Sequence, residues 1–298
     1  MGASGAAVGS NGSSGFTPRT VVVTGATSGI GLATAIALRA RVQTLVLVGR
    51  DASKLAEAAH SLASGEPGAV VRTHLADLSR LAEVRRLAAE LTAAYPAIDV
   101  LVNNAGAYFS RRERTAEGIE RTWALNVLAP YLLTRLLRDP LRAAARARVV
   151  NVSSAAHVGA KLEFDDLEAS RNYSGFRVYG RSKLALILLT HEFARRWSAD
   201  RIAVNALHPG FVRSRFAQNN RGLTALAIRA AAGAFGISPR RGAVTPVYLA
   251  LSPQVEGTTG AYFVRARAVR SSAASYEEPS AARLWGLCAE RVGLSDGE

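Results

Sequence analysis

The sequence predicts a single α/β domain in which a parallel β-sheet is covered by helices on both faces. Short β-branched runs alternate with Ala/Leu/Arg-rich segments of helical spacing, which is typical of consecutive βαβ units. The run Leu45-Val46-Leu47-Val48 is apolar at every position, as expected for a strand buried on both faces. With 49% hydrophobic residues among 298, the chain can form a large core, and no repeat or proline-rich linker divides it.

Seven strands are predicted in chain order. Their sequences are TVVVTGA, TLVLVGR, VVRTHLADL, VLVNNAG, RVVNVSS, RIAVNALHPG and the weaker GAYFV. The domain covers residues 19–298, and the Gly/Ser/Ala-rich residues 1–18 are expected to form a disordered tail. Residues 157–178 and 213–240 interrupt the alternation after the fifth and sixth strands. Because open α/β sheets bind ligands at the carboxyl ends of their strands, both segments are predicted to be walls of a substrate site.

Composition argues against several classes of protein. The net charge of +14 would suit an anionic partner, but the arginines are scattered and not interleaved with aromatic residues, so no nucleic-acid binding is predicted. The single cysteine, Cys288, cannot form an internal disulfide, which favours the cytoplasm. The longest apolar run, residues 184–189, is far shorter than the about 20 residues of a membrane span, and no secretory signal is recognisable. The five histidines lack metal-ligand spacing, so no metal is predicted.

A glycine-rich loop, TGATSGIG, follows the first strand and opens a helix. Its glycines let the backbone turn tightly and approach a diphosphate, which the positive end of the helix stabilises. The alternative is a glycine-rich turn without a ligand, since such turns also occur in that role. The predicted contacts are Gly25, Thr27, Ser28, Gly29, Ile30 and Gly31.

The end of the second strand, VGRD, indicates which dinucleotide is bound. A carboxylate at the strand tip would hydrogen-bond the adenosine ribose of NAD(H), whereas Gly49 leaves room there and Arg50 offers a planar cation for a 2′-phosphate. NADP(H) is therefore predicted, with the Ser28 hydroxyl as a further contact to the same phosphate. The alternative is that Arg50 is one more solvated arginine.

Three other strand ends carry predicted cofactor contacts. Asp77 and Leu78 follow the third strand and are placed to meet the adenine, although a helix cap explains Asp77 nearly as well. Asn104, Ala105 and Gly106 close the fourth strand, where amides can fix the neighbouring backbone beside the cofactor. The loop after the sixth strand is predicted to meet the nicotinamide carboxamide through Pro209, Gly210, Val212 and Ser214.

Tyr179 and Lys183 are predicted to be the reacting pair. On a helix they lie one turn apart on the same face. The phenol has an ordinary pKa of about 10, and a nearby ammonium is expected to lower it and ease proton transfer. The compact, rotatable donors of Lys183 can also hold the nicotinamide ribose. The alternative is a surface tyrosine beside a solvated lysine.

Two further polar residues complete the predicted centre. Ser154 ends the fifth strand, where its hydroxyl can donate to the substrate oxygen as charge develops there, although serines at strand ends often serve to cap turns. Asn126 lies inside an apolar helix pattern, where an amide is costly unless it is hydrogen-bonded. It is expected to join a proton relay through Lys183.

Together the motifs TGATSGIG, NNAG, NVSS, YGRSK and HPGFVRS, with Asn126, resemble the short-chain dehydrogenase/reductase family over about residues 19–264. The resemblance implies a single Rossmann domain with a seven-stranded parallel sheet. It also implies the tetrad Asn126, Ser154, Tyr179 and Lys183, and hydride transfer between nicotinamide and an alcohol or carbonyl carbon. A non-enzymatic NADP(H)-binding redox sensor is the alternative, but it would not need the complete tetrad.

A closer resemblance is to the retinol-dehydrogenase-like branch. It rests on NVSSAAH, on SKLALILLTHEFARRW, on TPVYLALSPQVEGTTGAYF and on a separation of 25 residues between Ser154 and Tyr179. The resemblance implies NADP linkage and a lipophilic aldehyde, ketone or alcohol as substrate. It also implies a homo-oligomer that pairs through the helices around Asn126 and after Tyr179. The chain departs from membrane-bound members because an N-terminal anchor is not expected, and residues 265–280 fit the branch poorly.

Overall fold

The structure is a computed structural model that describes residues 18–64, 68–212 and 236–295. The described strands are β1 (Thr20–Thr24), β2 (Thr44–Gly49), β3 (Val70–Leu75), β4 (Val100–Asn103), β5 (Arg148–Val152), β6 (Ala203–His208), β7 (Tyr262–Val264) and β8 (Arg267–Val269). They form one sheet in the order β3-β2-β1-β4-β5-β6-β7-β8. The first seven pair in parallel, and β8 pairs antiparallel with β7. The predicted parallel sheet is therefore confirmed, with one short strand added.

The helices lie on both faces of this sheet. They are α1 (Gly29–Leu38), α2 (Ala52–Ala63), α3 (Leu81–Ala94), α4 (Arg121–Trp123), α5 (Ala129–Leu136), α6 (Arg138–Ala143), α7 (Gly175–Arg196), α8 (Pro239–Gly242), α9 (Val244–Leu251) and α10 (Glu278–Val292). A π-helical turn, Ala124–Leu128, joins α4 to α5.

Alternate residues of the central strands belong to two separate cores. In β1, Val22 packs in the core that contains α3, α5 and α7, whereas Val21 and Val23 pack in the core that contains α1, α2 and α9. All three side chains are fully buried. Burial on both faces explains the apolar runs of the central strands β1, β2 and β4, whereas the edge strands β3 and β8 are largely exposed.

The strand order reverses between β1 and β4. The chain moves from β1 to β2 and β3 on one side, and from β4 to β5, β6 and β7 on the other. The loops that follow β1 and β4 therefore diverge at the carboxyl edge of the sheet and leave a crevice between them. The glycine-rich loop and the residues after Asn103 both lie at this crevice.

Strand β8 was not predicted from the sequence. Its three residues are exposed, so it carries no apolar pattern. The turn that joins it to β7 places Arg265 and Ala266 at positive φ, 50° and 59°. Two-residue hairpins need this backbone conformation, which Asn-Gly or Asp-Gly pairs normally supply. The sequence Arg-Ala therefore gave no sign of a hairpin.

Helix α10 forms an outer layer over α5 and α7. The buried Trp285 ring packs edge-on against Tyr131 of α5 and Phe193 of α7, at centroid distances of 5.0 and 4.7 Å. These are the helices around Asn126 and after Tyr179 through which the resemblance implied pairing. Pairing of two copies through these helices stays a prediction.

No described helix is long and apolar enough to cross a lipid bilayer. Residues 1–17 of the expected tail and residues 213–235, which include Ser214 and most of the second predicted substrate wall, lie outside the described part of the chain.

Candidate active site

The glycine-rich loop after β1 brings its backbone very close to the segment after β4. Gly25 and Gly29 adopt positive φ, 64° and 57°, which glycine tolerates at little cost. A Cβ atom on Gly31 would lie 2.2 Å from the Gly25 carbonyl oxygen and 2.4 Å from Asn104 Nδ2. The loop therefore requires glycine at position 31 for contact within the protein itself.

Asn104 holds this loop in place. Its side-chain amide donates to the carbonyl oxygens of Thr24 and Gly25, at 2.8 and 3.2 Å. The backbone N–H groups of Asn104 and Ala105 both donate to Thr24 Oγ1, at 3.0 Å. The sequence predicted that this amide would fix neighbouring backbone, and the structure places it there.

Helix α1 begins where the loop ends. Ser28 is its N-cap residue and makes no side-chain capping hydrogen bond. Thr27, Ser28 and Ile30 are half-buried at this helix end. The positive N-terminus of α1 thus lies at the crevice, in the arrangement that binds diphosphates in open α/β sheets.

Strand β2 ends in a glycine, Gly49, so the strand tip itself presents no carboxylate. A Cβ atom on Gly49 would lie 2.6 Å from Thr27 Cγ2, so a larger side chain does not fit there. The Asp51 carboxylate caps α2 and binds the backbone and ammonium of Lys54, at 3.1 and 2.7 Å. Arg50, between them, is exposed.

Asp77 and Leu78 occupy different environments. Asp77 Oδ1 accepts hydrogen bonds from the Ser79 backbone N–H and hydroxyl, at 3.0 and 2.8 Å, in the turn before α3. Leu78 is buried in the core beneath that helix. The alternative that Asp77 caps the following helix was wrong, because the N-cap residue of α3 is Arg80. Asp77 instead stabilises the turn before that helix, and its contact with adenine stays a prediction.

Helix α7 carries the Tyr179 and Lys183 side chains to the end of β5. Both side chains are buried, and Lys183 Nζ lies 5.6 Å from the centroid of the Tyr179 ring. Nζ also donates to the Val152 carbonyl oxygen at 2.9 Å, which ties α7 to β5. Ser154, two residues further on, is half-buried and hydrogen-bonds the Tyr179 phenol.

Burial controls the proton affinities of this pair. It raises the pKa of Tyr179 to about 12, because a phenolate would be poorly solvated there, and the Ser154 hydrogen bond opposes that rise. Burial also lowers the pKa of Lys183 to about 8. The pKa of Tyr179 is thus raised, and not lowered as the sequence led us to expect, because burial of the phenol is the largest cause of its shift.

Asn126 lies in the π-helical turn between α4 and α5. Turns of this kind occur often at functional sites because they displace a side chain from the regular helical path. Its Oδ1 accepts from the Ala107 N–H, and its Nδ2 donates to the Ala107 carbonyl oxygen and the Ser182 hydroxyl, each at 3.0 Å. The buried amide is therefore fully hydrogen-bonded.

The side chains of Asn126 and Lys183 both lie next to the backbone of Gly106. A Cβ atom on Gly106 would lie 3.2 Å from Asn126 Oδ1 and 3.3 Å from Lys183 Nζ. The two side chains predicted to form a relay are thus adjacent, on either side of the backbone after β4. Any side chain at position 106 would press against both.

The loop after β6 extends from the same edge of the sheet. Pro209 and Gly210 are half-buried, and Gly210 adopts a positive φ of 95°. Val212 forms a parallel bridge with Ile237 and lies 2.8 Å from the position of a Cβ atom on Gly242. The structure therefore brings this loop to the crevice and anchors its far end on α8.

Sequence reasoning missed two buried residues, the aromatic Tyr108 and the acidic Glu120. Tyr108 is buried and makes an edge-on contact with Tyr179, at a centroid distance of 6.4 Å. Glu120 is fully buried and caps α4 through the N–H groups of Thr122 and Trp123, while burial raises its pKa. A glutamate directly before an apolar helix was a usable signal for the cap; nothing in the sequence marked Tyr108.

Within the described ranges no group of three or more His, Cys, Asp or Glu side chains could hold a metal ion.

The chain is similar to known proteins over most of its length. The family model described as short chain dehydrogenase matches residues 19–223. Mouse retinol dehydrogenase 14 is 37% identical over 291 residues, covering 93% of this chain and 86% of the relative. Human polyprenol dehydrogenase is 31% identical over 284 residues, covering 93% and 86%. A solved short-chain dehydrogenase of Sphingobium yanoikuyae in complex with NADPH has a TM-score of 0.62 at 28% identity, covering 77% and 82%.

Proposed function

The chain belongs to the short-chain dehydrogenase/reductase family, a family of oxidoreductases that act on alcohol and carbonyl groups, and from that premise we propose an NADP(H)-dependent enzyme for a bulky lipophilic substrate. It transfers hydride between the nicotinamide and the carbonyl or alcohol carbon of that substrate. The observation that carries this proposal is that Tyr179 and Lys183 are buried together on α7, with Lys183 Nζ 5.6 Å from the Tyr179 ring centroid and hydrogen-bonded to Val152, two residues before Ser154.

The dinucleotide is proposed to bind along the glycine-rich loop, which packs directly against the segment after β4. Backbone approaches so closely at Gly25, Gly31 and Gly106 that a Cβ atom at any of them would lie within 3.2 Å of another group. The N-terminus of α1 supplies N–H groups and a positive partial charge for a diphosphate. Asn104 holds the glycine-rich loop in its conformation through hydrogen bonds to the Thr24 and Gly25 carbonyl oxygens.

The preference for NADP(H) rests on the end of β2. The nearest carboxylate along the chain, Asp51, is bound by Lys54 and Ser53, so it is poorly placed to accept a ribose hydroxyl. Arg50 is exposed at the same strand end, where its guanidinium can bind a phosphate through two hydrogen bonds. The solved relative that holds NADPH is in keeping with this preference.

The chemistry divides among four side chains. NADP(H), when bound, supplies or accepts the hydride. The Tyr179 phenol gives its proton to the substrate oxygen during carbonyl reduction and takes it back during alcohol oxidation. Ser154 donates a hydrogen bond to the same oxygen as negative charge develops there. Lys183 and Asn126 hold the backbone around the phenol and supply the route by which its proton is replaced.

A lipophilic substrate is favoured by the apolar surface around the pair. Val158, Phe176 and Phe211 are large hydrophobic side chains that are 68%, 62% and 50% exposed. Each lies within four residues of Ser154, Tyr179 or Gly210 along the chain. Exposed apolar side chains beside a reacting centre can contribute to a binding surface for an apolar substrate. The relatives named for retinol and polyprenol also act on apolar alcohols.

The test is the consumption of NADPH by the purified full chain, followed by absorbance, with aldehydes and ketones of increasing hydrophobic size. We expect turnover that rises from small polar carbonyls to bulky apolar ones. Tight NADPH binding without hydride transfer to any of them would contradict the proposal and favour a redox sensor.

Replacement of Arg50 by Gln tests the cofactor preference. Loss of a charge-assisted contact with the 2′-phosphate should raise the KM for NADPH about tenfold to hundredfold and leave that for NADH nearly unchanged. Steady-state kinetics with both cofactors measure the effect. Arg41→Gln is the matched control, because Arg41 is also exposed but precedes β2, at the opposite edge of the sheet. Equal changes for the two cofactors would contradict the role of Arg50.

A further inference from the structure

The peptide group that follows Ser154 is hydrogen-bonded on both edges by histidine rings. The Ser154 carbonyl oxygen lies 2.7 Å from His157 Nδ1. The N–H of the same peptide, which belongs to Ala155, donates to His208 Nδ1 at 3.2 Å. Because a peptide group is planar and rigid, the two contacts together fix its orientation.

We propose that His157 and His208 are positioning residues for the reaction, which hold the Ser154–Ala155 peptide so that the Ser154 hydroxyl faces Tyr179 and the substrate oxygen. This inference rests on the proposed function and extends it to two residues outside the tetrad. Neither histidine belongs to a metal-ligand spacing in the sequence, so the sequence offers no sign of this role.

The hydrogen-bond partners define the form of each ring. The Ser272 N–H donates to His157 Nε2 at 3.1 Å, so Nε2 is an acceptor and the ring proton lies on Nδ1, where it is donated to Ser154. His208 uses Nδ1 as an acceptor, so its proton lies on Nε2. Both rings must be neutral to make these contacts. Burial lowers the pKa of both, and the nearby His157 lowers that of His208 further.

The held peptide continues into the turn that orients the Ser154 hydroxyl. Ser154 Oγ accepts from the Ala156 N–H at 3.2 Å, and the Ser154 carbonyl oxygen also accepts from the His157 N–H at 3.2 Å. Since Oγ already accepts one hydrogen bond from the turn, its own proton is available for donation to the phenol or the substrate. Rotation of the peptide would move the Ala156 N–H and release Oγ from this arrangement.

His157 also connects this turn to β7 and to the segment after β8. Its buried ring packs edge-on against Tyr262 of β7, at a centroid distance of 5.0 Å, and accepts from Ser272 after β8. His208 directly precedes Pro209 and Gly210 in the loop after β6. The two rings thus attach the end of β5 to three later parts of the chain that the fold brings to the same edge.

The first test compares two variants of His208. Leucine removes the acceptor, and we expect kcat to fall about tenfold to hundredfold while the KM for NADPH changes less than about threefold. Asparagine places Oδ1 near the position of Nδ1 and should keep kcat within about threefold of the original protein. Equal losses in the Leu and Asn variants, or no loss in either, would overturn the proposal.

The second test asks whether the effect passes through Ser154. In a chain that already carries Ser154→Ala, the addition of His208→Leu or His157→Leu should change kcat less than about threefold, because there is no hydroxyl left to orient. Effects that multiply would indicate general damage and overturn the proposal. His191→Leu is the matched control, since His191 is a largely buried histidine bound to the Ser275 carbonyl oxygen at 2.8 Å and contacts neither Ser154 nor Ala155.

The third test does not depend on turnover. Amide hydrogen exchange at Ala155 should be at least about tenfold faster in His208→Leu than in the original protein, and nearly unchanged in His208→Asn. If exchange follows this pattern but no carbonyl is reduced, the proposed function fails and the histidine contacts stand. Exchange that is unaffected by His208→Leu would overturn the contacts, whatever the activity.

Discussion

Replacement of Tyr179 by Phe should lower kcat about a thousandfold and change the Kd for NADPH less than about threefold. The variant loses one hydroxyl and keeps the ring that packs against Tyr108. Burial keeps the pKa of the phenol at about 12, so the proton is present throughout the neutral range and is available to a carbonyl oxygen. Stopped-flow turnover measures the first quantity, and fluorescence titration with NADPH measures the second.

Tyr173→Phe is the matched control for this change. Its hydroxyl donates to the Phe109 carbonyl oxygen at 2.9 Å, close to the same helix start but without contact with Ser154 or Lys183. We expect its kcat to stay within about threefold of the original protein. A Tyr179→Phe variant with more than about a tenth of the original kcat would show that another group transfers the proton.

Replacement of Gly31 by Ala should abolish NADPH binding at concentrations that saturate the original protein. The added methyl group would lie 2.2 Å from the Gly25 carbonyl oxygen and 2.4 Å from Asn104 Nδ2. Neither atom can yield easily, because one is backbone and the other is held by two hydrogen bonds. The loop must therefore open, at a cost of about 1–3 kcal/mol in the free energy of unfolding. Calorimetry with and without NADPH measures both effects.

Gly286→Ala is the control, because Gly286 lies within α10 and no heavy atom lies within 4 Å of its added Cβ. Alanine there should stabilise the protein by about 0.5–1 kcal/mol, since it favours a helix over the flexible unfolded chain. NADPH binding should be unchanged. Normal NADPH affinity in Gly31→Ala would contradict the assignment of the loop to the diphosphate.

The seven parallel strands could be predicted because burial on both faces leaves a direct mark on composition. Strand β2, for example, has the continuous apolar run Leu45 to Val48, and the segments between strands show helical spacing. The strand order then brings the loops after β1, β4, β5 and β6 to one edge. For that reason the polar residues at those strand ends, Ser154 and Asn104 among them, could be expected from the sequence to lie at one crevice.

Features that depend on packing between distant segments could not be predicted. Strand β8 is exposed and turns through Arg265 and Ala266, so nothing local marks it. The position of α10 over α5 and α7 depends on where Trp285 fits, which is a property of three helices together. The pKa of Tyr179 went in the opposite direction from the sequence-based expectation, because the depth of burial is a tertiary quantity.

The sequence by itself determined the sheet, the family and the set of groups that can do chemistry, since apolar periodicity and the order of the motifs are local properties of the chain. The tertiary structure decided how those groups are held: that Asn126 is hydrogen-bonded to the backbone at Ala107, that burial governs the protons of Tyr179 and Lys183, and that two histidines hold the peptide after Ser154. These depend on contacts between residues far apart in sequence, which form only when the chain has folded.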